Sequence, residues 1–424
     1  MKSFSSILVI LLLISEPISA QERWTCYNNK EELLMDNQLF LGAFEYVDGS
    51  TWFVTDKGIN IFKEGEWIIH SKKTELLKNK VGAYLVDSQN RIWIGTGAPD
   101  MFFDGYALGQ LYEGGIVIYD GEKWEAKQTK DLGINSPVIT RMYESSNGDI
   151  WMGVSSVTPG MEKQALFPKG ALLRLSRETG EWTDYREKDV PCFECHFVKG
   201  FYEGANGRMH FLARNGVYYF ENGEFTSVVK DNVDFKFPYG QWITARFEDS
   251  KGNLWLGAPG RVARHDGKNW ISFNRKNGLP PVERMPYGFL ETPEGKIIMS
   301  ATNGLYTFNG KDQWEQDKIK YLYGNARMDN QNRIWIPTDK GLIIRDGNSD
   351  NLNKDLKKIY SFLEDQNGAV WALASGGGIH RYKDGHWATF DKNNKLPSDR
   401  ITMIYPSESG PVWIGTNKGI CRCE

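Results

Sequence analysis

Short apolar runs, each closed by a polar turn, recur along this chain. Ile359 to Leu363 is one such run; Glu364-Asp-Gln-Asn-Gly368 follows it, and Ala369-Val-Trp371 opens the next run. The runs are four to six residues long, too short for helices, and the Asn-Gly pairs supply the positive-φ positions that tight hairpins need. A Gly then turns the chain into a third run, as in Lys340-Gly341-Leu-Ile-Ile or Asn303-Gly304-Leu-Tyr-Thr-Phe. A fourth follows an Asp-Gly or Asn-Gly turn and often begins with Trp, at Trp67, Trp124, Trp182, Trp270, Trp314 and Trp387. The pattern predicts four antiparallel strands per unit and no long helix.

The unit repeats. Asp87-Ser-Gln-Asn-Arg-Ile-Trp93 returns in altered form around Trp151, Trp255, Trp335, Trp371 and Trp413, and weaker copies place Trp52, His210 and Ile298 at the Trp position. The nine copies are spaced from 36 residues (Trp335 to Trp371) to 59 (Trp151 to His210). Four-stranded units at this period predict an all-β, single β-propeller of about nine blades. Eight is the alternative, if the copy at Ile298 or Trp335 is absorbed elsewhere. Both Trp series are expected to pack between neighbouring blades, where their large apolar area is best used.

The last copy lacks a fourth strand, and Arg23-Trp-Thr-Cys-Tyr-Asn-Asn29 is similar to the fourth strand His386-Trp-Ala-Thr-Phe-Asp391. An N-terminal strand is therefore expected to complete the last blade and remove an open edge. That pairing brings Cys26 beside Cys421 and Cys423, and a disulfide to one of them would lock the ring in an oxidising compartment. Residues 1–20 read as a signal peptide, with Lys2, the apolar run Ile7–Ile14 and the small-residue site Pro17-Ile18-Ser19-Ala20. Residues 21–424 form the propeller, expected to be secreted or periplasmic.

Composition supports this reading and narrows the partners. Forty-four Gly, fifteen Trp and nineteen Tyr suit many short strands with aromatic packing. A net charge of −3 gives no basic footprint for nucleic acid, and no later segment is apolar enough for membrane insertion.

The phrase acidic-x-x-Gly-x-(Ile/Leu)-Trp-(Ile/Leu)-Gly-Thr-x-x-Gly-(Leu/Ile) resembles the two-component regulator propeller repeat. Trp413-Ile-Gly-Thr-Asn-Lys-Gly-Ile420 matches it throughout, and the resemblance runs over about residues 36 to 424. It implies blade architecture. It also implies kinship with the exported sensor part of hybrid two-component systems, often responsive to glycans. Neither a kinase nor a response-regulator domain is read in this sequence, and the repeat residues carry no binding role.

In a propeller the turns between strands two and three share a face with the connections from strand four to the next blade, and that face commonly holds the site. Two of these loops are long here. Gly97–Gly115 carries Phe102, Phe103, Asp104, Tyr106 and Tyr112; Ser155–Gly170 carries Glu162, Lys163 and Phe167. With His196 in the next connection on that face, these are the candidate ligand- or partner-binding residues. Cys192-Phe-Glu-Cys195-His196 has the spacing of a c-type haem attachment site, against a local Cys192–Cys195 disulfide as the simpler reading. Otherwise no cofactor and no metal is expected. Arg141, Lys199, Arg246 and Arg327 are expected to line the central channel, and acidic pairs such as Glu364-Asp365 are read as turn formers. The favoured function is an exported binding or sensing propeller for a glycan, another ligand or a protein partner, with no catalytic residue assigned. A propeller lyase or lactonase and a c-type haem protein are the rivals.

Overall fold

The computed structural model describes residues 23–28, 40–71, 80–97, 101–103, 106–108, 115–128, 138–155, 171–185, 198–204, 207–213, 216–221, 223–227, 243–276, 278–282, 285–310 and 313–424. Among them the chain forms nine four-stranded antiparallel sheets and one two-stranded hairpin. The sheets are the blades of a β-propeller. Blades 1 to 9 are numbered by their innermost strands: Phe40–Glu45, Val81–Val86, Val138–Glu144, Val198–Glu203, Ala245–Glu248, Pro286–Glu291, Arg327–Met328, Ile359–Glu364 and Ile401–Pro406. The weak copy at Ile298 and the short one at Trp335 each own a full blade, so the count is nine. Among the described residues no helix is long and apolar enough to cross a membrane.

Each repeat phrase does two jobs at once. In blade 5, Asp249 Oδ1 accepts from the backbone N–H groups of Lys251 (3.1 Å) and Asn253 (2.8 Å), which shapes the turn. Its Oδ2 accepts from the Trp255 indole N–H at 2.8 Å, and Asp87, Asp329 and Asp365 hold Trp93, Trp335 and Trp371 at the same distance. Burying a tryptophan leaves one N–H to satisfy, and the turn aspartate satisfies it. The residue three before each Trp sits at positive φ, as Gly252 (76°), Gly368 (72°), Asn90 (60°) or Asn332 (63°), so Gly and Asn recur there.

The Trp faces are covered from two directions. The strand-two Trp of one blade meets the strand-four Trp of the next: Trp52 with Trp124 at 6.0 Å, Trp93 with Trp182 at 6.5 Å, Trp255 with Trp314 at 5.6 Å, Trp335 with Trp387 at 5.8 Å and Trp413 with Trp67 at 6.0 Å. A guanidinium lies over the same rings. Arg174, Arg264, Arg381 and Arg422 reach Trp151, Trp255, Trp371 and Trp413 from strand three at 5.5–5.7 Å. Arg91 and Arg333 do so for Trp93 and Trp335 from two residues upstream, at 5.0 and 5.5 Å. The Gly after Trp-x lets blades close up. A Cβ on Gly95 would stand 2.7 Å from Ile139 of the following blade, and one on Gly153 would stand 2.9 Å from Val198.

The acidic pairs are more than turn formers. The glutamate ending an inner strand reaches back to the turn of the preceding blade. Glu144 accepts from Ser88 N (2.6 Å) and Oγ (2.7 Å), Glu203 from Ser146 N and Oγ (both 2.6 Å), and Glu291 from Ser250 N (2.6 Å) and Oγ (2.7 Å). Glu364 takes Asn330 N at 2.9 Å, and Glu45 takes Ser409 N at 3.0 Å together with the Ser407 and Ser409 hydroxyls. Each is a charge-assisted clasp across a seam between blades. Glu248 instead meets the Tyr202 hydroxyl, and that tyrosine is pushed up to about 12 by burial first and the glutamate charge next.

The ring closes as expected. Trp24–Asn28 pairs antiparallel with Gly419–Cys423 as the fourth strand of blade 9. The register sets Cys26 opposite Cys421, and these two form the disulfide, with Cα atoms 4.1 Å apart. Cys423, the other partner considered, lies opposite Trp24, is buried and is not in the disulfide.

Candidate functional site

Seven of the nine inner strands carry a β-bulge one or two residues after they begin. A bulge leaves a residue outside the ladder and re-aims its side chain, here at the mouth of the channel on the face of the strand-two-to-three turns. In blades 6 and 8 the bulged residues are Tyr287 and Tyr360. In blade 7 the equivalent position is Gly324, and Tyr323 precedes it.

Close approach of backbones draws these tyrosines together. A Cβ on Gly324 would lie 2.8 Å from the Tyr360 carbonyl oxygen, so Tyr323-Gly324 rests directly on the start of blade 8. On the other side the Tyr287 hydroxyl donates to the Leu322 carbonyl at 3.5 Å. Tyr321 adopts φ 59°, and its carbonyl receives the Asp339 N–H at 3.0 Å. Met285, Tyr287, Tyr321, Tyr323 and Tyr360 are 57, 37, 62, 42 and 43% exposed. Isolated exposed apolar residues are ordinary, but five on three successive blades form a patch.

Lysines are frequent in the same segments, and one of them, Lys318, pairs with Asp350 at 3.3 Å. Lys318, Lys320, Lys340, Lys354, Lys357 and Lys358 are all exposed in the turns and connections of blades 6 to 8. Of the acids nearby, Asp317 is held by Arg345 at 2.7 Å, while Asp339 and Asp355 are exposed. Burial pushes the Tyr360 phenol up from its usual value, so the ring is neutral at physiological pH and offers a hydroxyl donor beside an aromatic face.

The residues expected from loop length belong, in sequence, to the segments after the second strands of blades 2 and 3 and before blade 4. Phe102, Phe103 and Tyr106 fall on the hairpin Met101–Phe103/Tyr106–Leu108, inserted between the second and third strands of blade 2; their side chains lie outside the described residues. Asp104, Tyr112, Glu162, Lys163, Phe167, Cys192, Cys195 and His196 also lie outside the described residues. Of the expected channel residues, Arg141, Arg246 and Arg327 are exposed on inner strands, and the Lys199 side chain lies outside the described residues. Arg246 donates to the Phe201 carbonyl at 2.6 Å and lies 5.1 Å from the Tyr202 ring. Burial of the guanidinium groups lowers the Arg141 and Arg246 pKa values, although both residues are exposed overall. Among the described residues no group of three or more His, Cys, Asp or Glu is placed to hold a metal ion.

No family model matches the chain, and no curated protein matches it. Solved structures similar to it include the extracellular domain assigned to a hybrid two-component system, BT3049, of B. thetaiotaomicron. The identity is 16% and the TM-score 0.41, over 90% of this chain and 56% of that one. Virginiamycin B lyase from Staphylococcus aureus is similar at 11% identity and TM-score 0.43, over 95% of this chain and 99% of that chain. PorZ, a surface component of the type-IX secretion system of Porphyromonas gingivalis, is similar at 13% and 0.37, over 90% of this chain and 68% of that one. The chain thus spans a little over half the length of the first of these.

Proposed function

We propose that this chain is an exported binding or sensing propeller whose ligand docks on the tyrosine-lined mouth of blades 6 to 8, and that the ligand is a saccharide. One observation carries the reading: Tyr287, Tyr321, Tyr323 and Tyr360 stand exposed on a rigid scaffold at spacings set by backbone contacts. Aromatic faces suit the apolar C–H faces of sugar rings, and the phenol and ammonium groups around them suit the hydroxyls. A rigid platform binds with little ordering cost. The disulfide between Cys26 and Cys421 supports export, since such bonds persist in oxidising compartments.

The test is calorimetry of the mature protein against a panel of neutral and acidic oligosaccharides, with lactones and cyclic peptides included to detect turnover. Binding of a saccharide is expected to weaken at least tenfold in Tyr323→Ala and Tyr360→Ala, with Tm nearly unchanged because both side chains are exposed. Saccharide affinity indifferent to both substitutions would remove the site, and no saccharide binding would remove the ligand class.

A further inference from the structure

The inner strands separate their charges by depth. Before its last residue none of the nine holds an Asp or Glu, and four of them hold a cation: Arg141, Lys199, Arg246 and Arg327. The acids stand at the last position only, as Glu45, Glu144, Glu203, Glu248, Glu291 and Glu364. Five of these are engaged in the clasps between blades, and Glu248 meets the Tyr202 hydroxyl. Register sets the cations at four successive depths. Arg327 stands opposite Trp335, at the Trp position of the second strand. Arg246 stands opposite Leu256, one residue beyond that position, and Arg141 opposite Gly153, two beyond. Lys199 follows at the bulge that opens the inner strand of blade 4. At about 3.3 Å per strand residue, the steps from Arg327 to Lys199 span roughly 10 Å of the channel.

An innermost strand is covered by the second strand along one edge and by neighbouring blades on both faces, so a residue exposed there meets the channel. Arg141, Arg246 and Arg327 are all exposed. Two of the three heads are oriented by main-chain carbonyls. Arg141 donates from Nη1 to the Thr140 carbonyl at 2.6 Å, and Arg246 reaches across the seam from blade 5 to the Phe201 carbonyl of blade 4, also at 2.6 Å. Phe201 stacks in turn on Tyr143 of blade 3 at 6.1 Å, two residues after Arg141. A carbonyl orients a guanidinium without neutralising it. Burial lowers the pKa of both groups, and for Arg246 it prevails over Tyr143, Tyr202 and Glu248, which favour the charged form. A bound anion would offset that burial.

We propose that the central channel is a binding site for a slender ligand with two or more oxyanion groups in line, phosphoryl or carboxylate, that spans the depths of Arg141, Arg246 and Arg327. The guanidinium fork matches such groups, and successive groups on one ligand gain from being tethered to each other. A single small anion meets one depth at a time and gains less. The site is on the channel wall, away from the exposed tyrosines, and does not depend on the saccharide reading.

Tripolyphosphate, a linear run of phosphoryl groups, and tricarballylate, its carboxylate counterpart, are the probes, with orthophosphate as the single-group control. Calorimetry in chelator-treated buffer is expected to show one of the two probes binding at least tenfold more tightly than orthophosphate, and the tighter of them names the anionic group. Arg141→Gln and Arg246→Gln are each expected to weaken that binding about tenfold, the scale of one charge-assisted contact. Lys268→Gln, an exposed position in the turn between the third and fourth strands of blade 5, is expected to leave it unchanged, as is Tyr323→Ala. Neither probe binding more tightly than orthophosphate, or a loss in Lys268→Gln as large as that in Arg141→Gln, would overturn the proposal. If Arg246→Gln does not fold, unchanged affinity in Arg141→Gln and Arg327→Gln overturns it alone.

Discussion

Blade 5 meets its two neighbours through the same backbone register but with different chemistry. Toward blade 6 it presents Trp255, buried, with its N–H on Asp249, Arg264 over one face, and Phe308 and Trp314 at 5.0 and 5.6 Å. From blade 4 it receives His210 at the Trp position, equally buried and 5.3 Å from the ring of His265. The histidine keeps its Nδ1 within 3.1 Å of the Arg208 carbonyl, while its buried Nε2 makes no hydrogen bond of good geometry among the described residues. The first seam is apolar with every polar atom of the indole satisfied. The second has the same shape, less apolar area and a titratable pair. A repeat fold fixes where a side chain goes; the residue type then decides what conditions the seam tolerates.

The contrast breaks first under truncation. Trp255→Ala is expected to cost about 3–5 kcal/mol in urea melts, because it leaves a large cavity and an orphaned Asp249. His210→Ala is expected to cost less, since an imidazole buries less apolar surface. A larger loss from His210→Ala would sink the view that the indole is the main glue between blades. Next in size is the closure of blade 9, where the Cys26–Cys421 bond ties its third and fourth strands and joins residues 395 apart in sequence. Cys26→Ser is expected to cost about 2–4 kcal/mol. The variant should also gain reactivity toward thiol reagents at Cys421, and a Tm unaltered by mild reductant in the wild type would contradict a locking role.

Much of this architecture was legible from residue types alone. Trp and the Gly or Asn three residues before it mark the second strand of most blades, and the strand-four Trp series marks its partner in the next. Closure and about nine blades follow from counting, with eight excluded only because the Ile298 and Trp335 copies each own a full blade. The clasp was harder to see. Glu144 and Ser88 are 56 residues apart, and only the ring geometry shows that adjacent acids in a Glu-Asp pair serve different blades. The tyrosine mouth left still less trace. Tyr287, Tyr323 and Tyr360 obey no shared motif, since two stand on bulges and the third precedes a glycine. Aligning the inner strands on their Trp partners would have stacked them in adjacent columns; loop length instead drew attention to blades 2 and 3. A bulge adds no residue type of its own, so its effect on side-chain direction is invisible before pairing is known.

Acid separates the two seams of blade 5 further. Burial first, then the charges of His265 and Arg208, hold His210 down to about 3, and burial lowers His265 as well. Asp266 beside His265 is the nearby acid that favours its protonation. Because the folded values lie below the free-histidine value of 6.5, the unfolded chain binds more protons between the two. Stability is fully present above that value and falls as pH drops through the window, by about 1.4 kcal/mol per unit per histidine. Melts at pH 7.5, 6.5 and 5.5 should therefore steepen in the wild type and flatten in His210→Phe. Identical pH slopes would mean that the buried pair is not what acid attacks.

The smallest effects lie in the clasps, and they differ in sign. Burial opposes the Glu45 charge, but the Ser407 and Ser409 contacts outweigh it and hold the carboxyl below its usual 4.5. That carboxylate contributes stability above the free-glutamate value, and the contribution is lost as pH falls through the folded value. Glu364, with burial dominant and one Asn330 N–H as its clasp, is pushed up instead. Its contribution is present at low pH and fades as pH rises, so its charge is a cost at neutrality. Glu45→Gln is expected to lose about 1 kcal/mol at pH 7, whereas Glu364→Gln should be neutral or slightly stabilising. The two variants, melted side by side at pH 7 and pH 4, test whether the serine hydroxyls make a clasp favourable. A Glu364→Gln loss equal to that of Glu45→Gln would show that the hydroxyls are incidental and that the backbone N–H alone sets the strength of the seam.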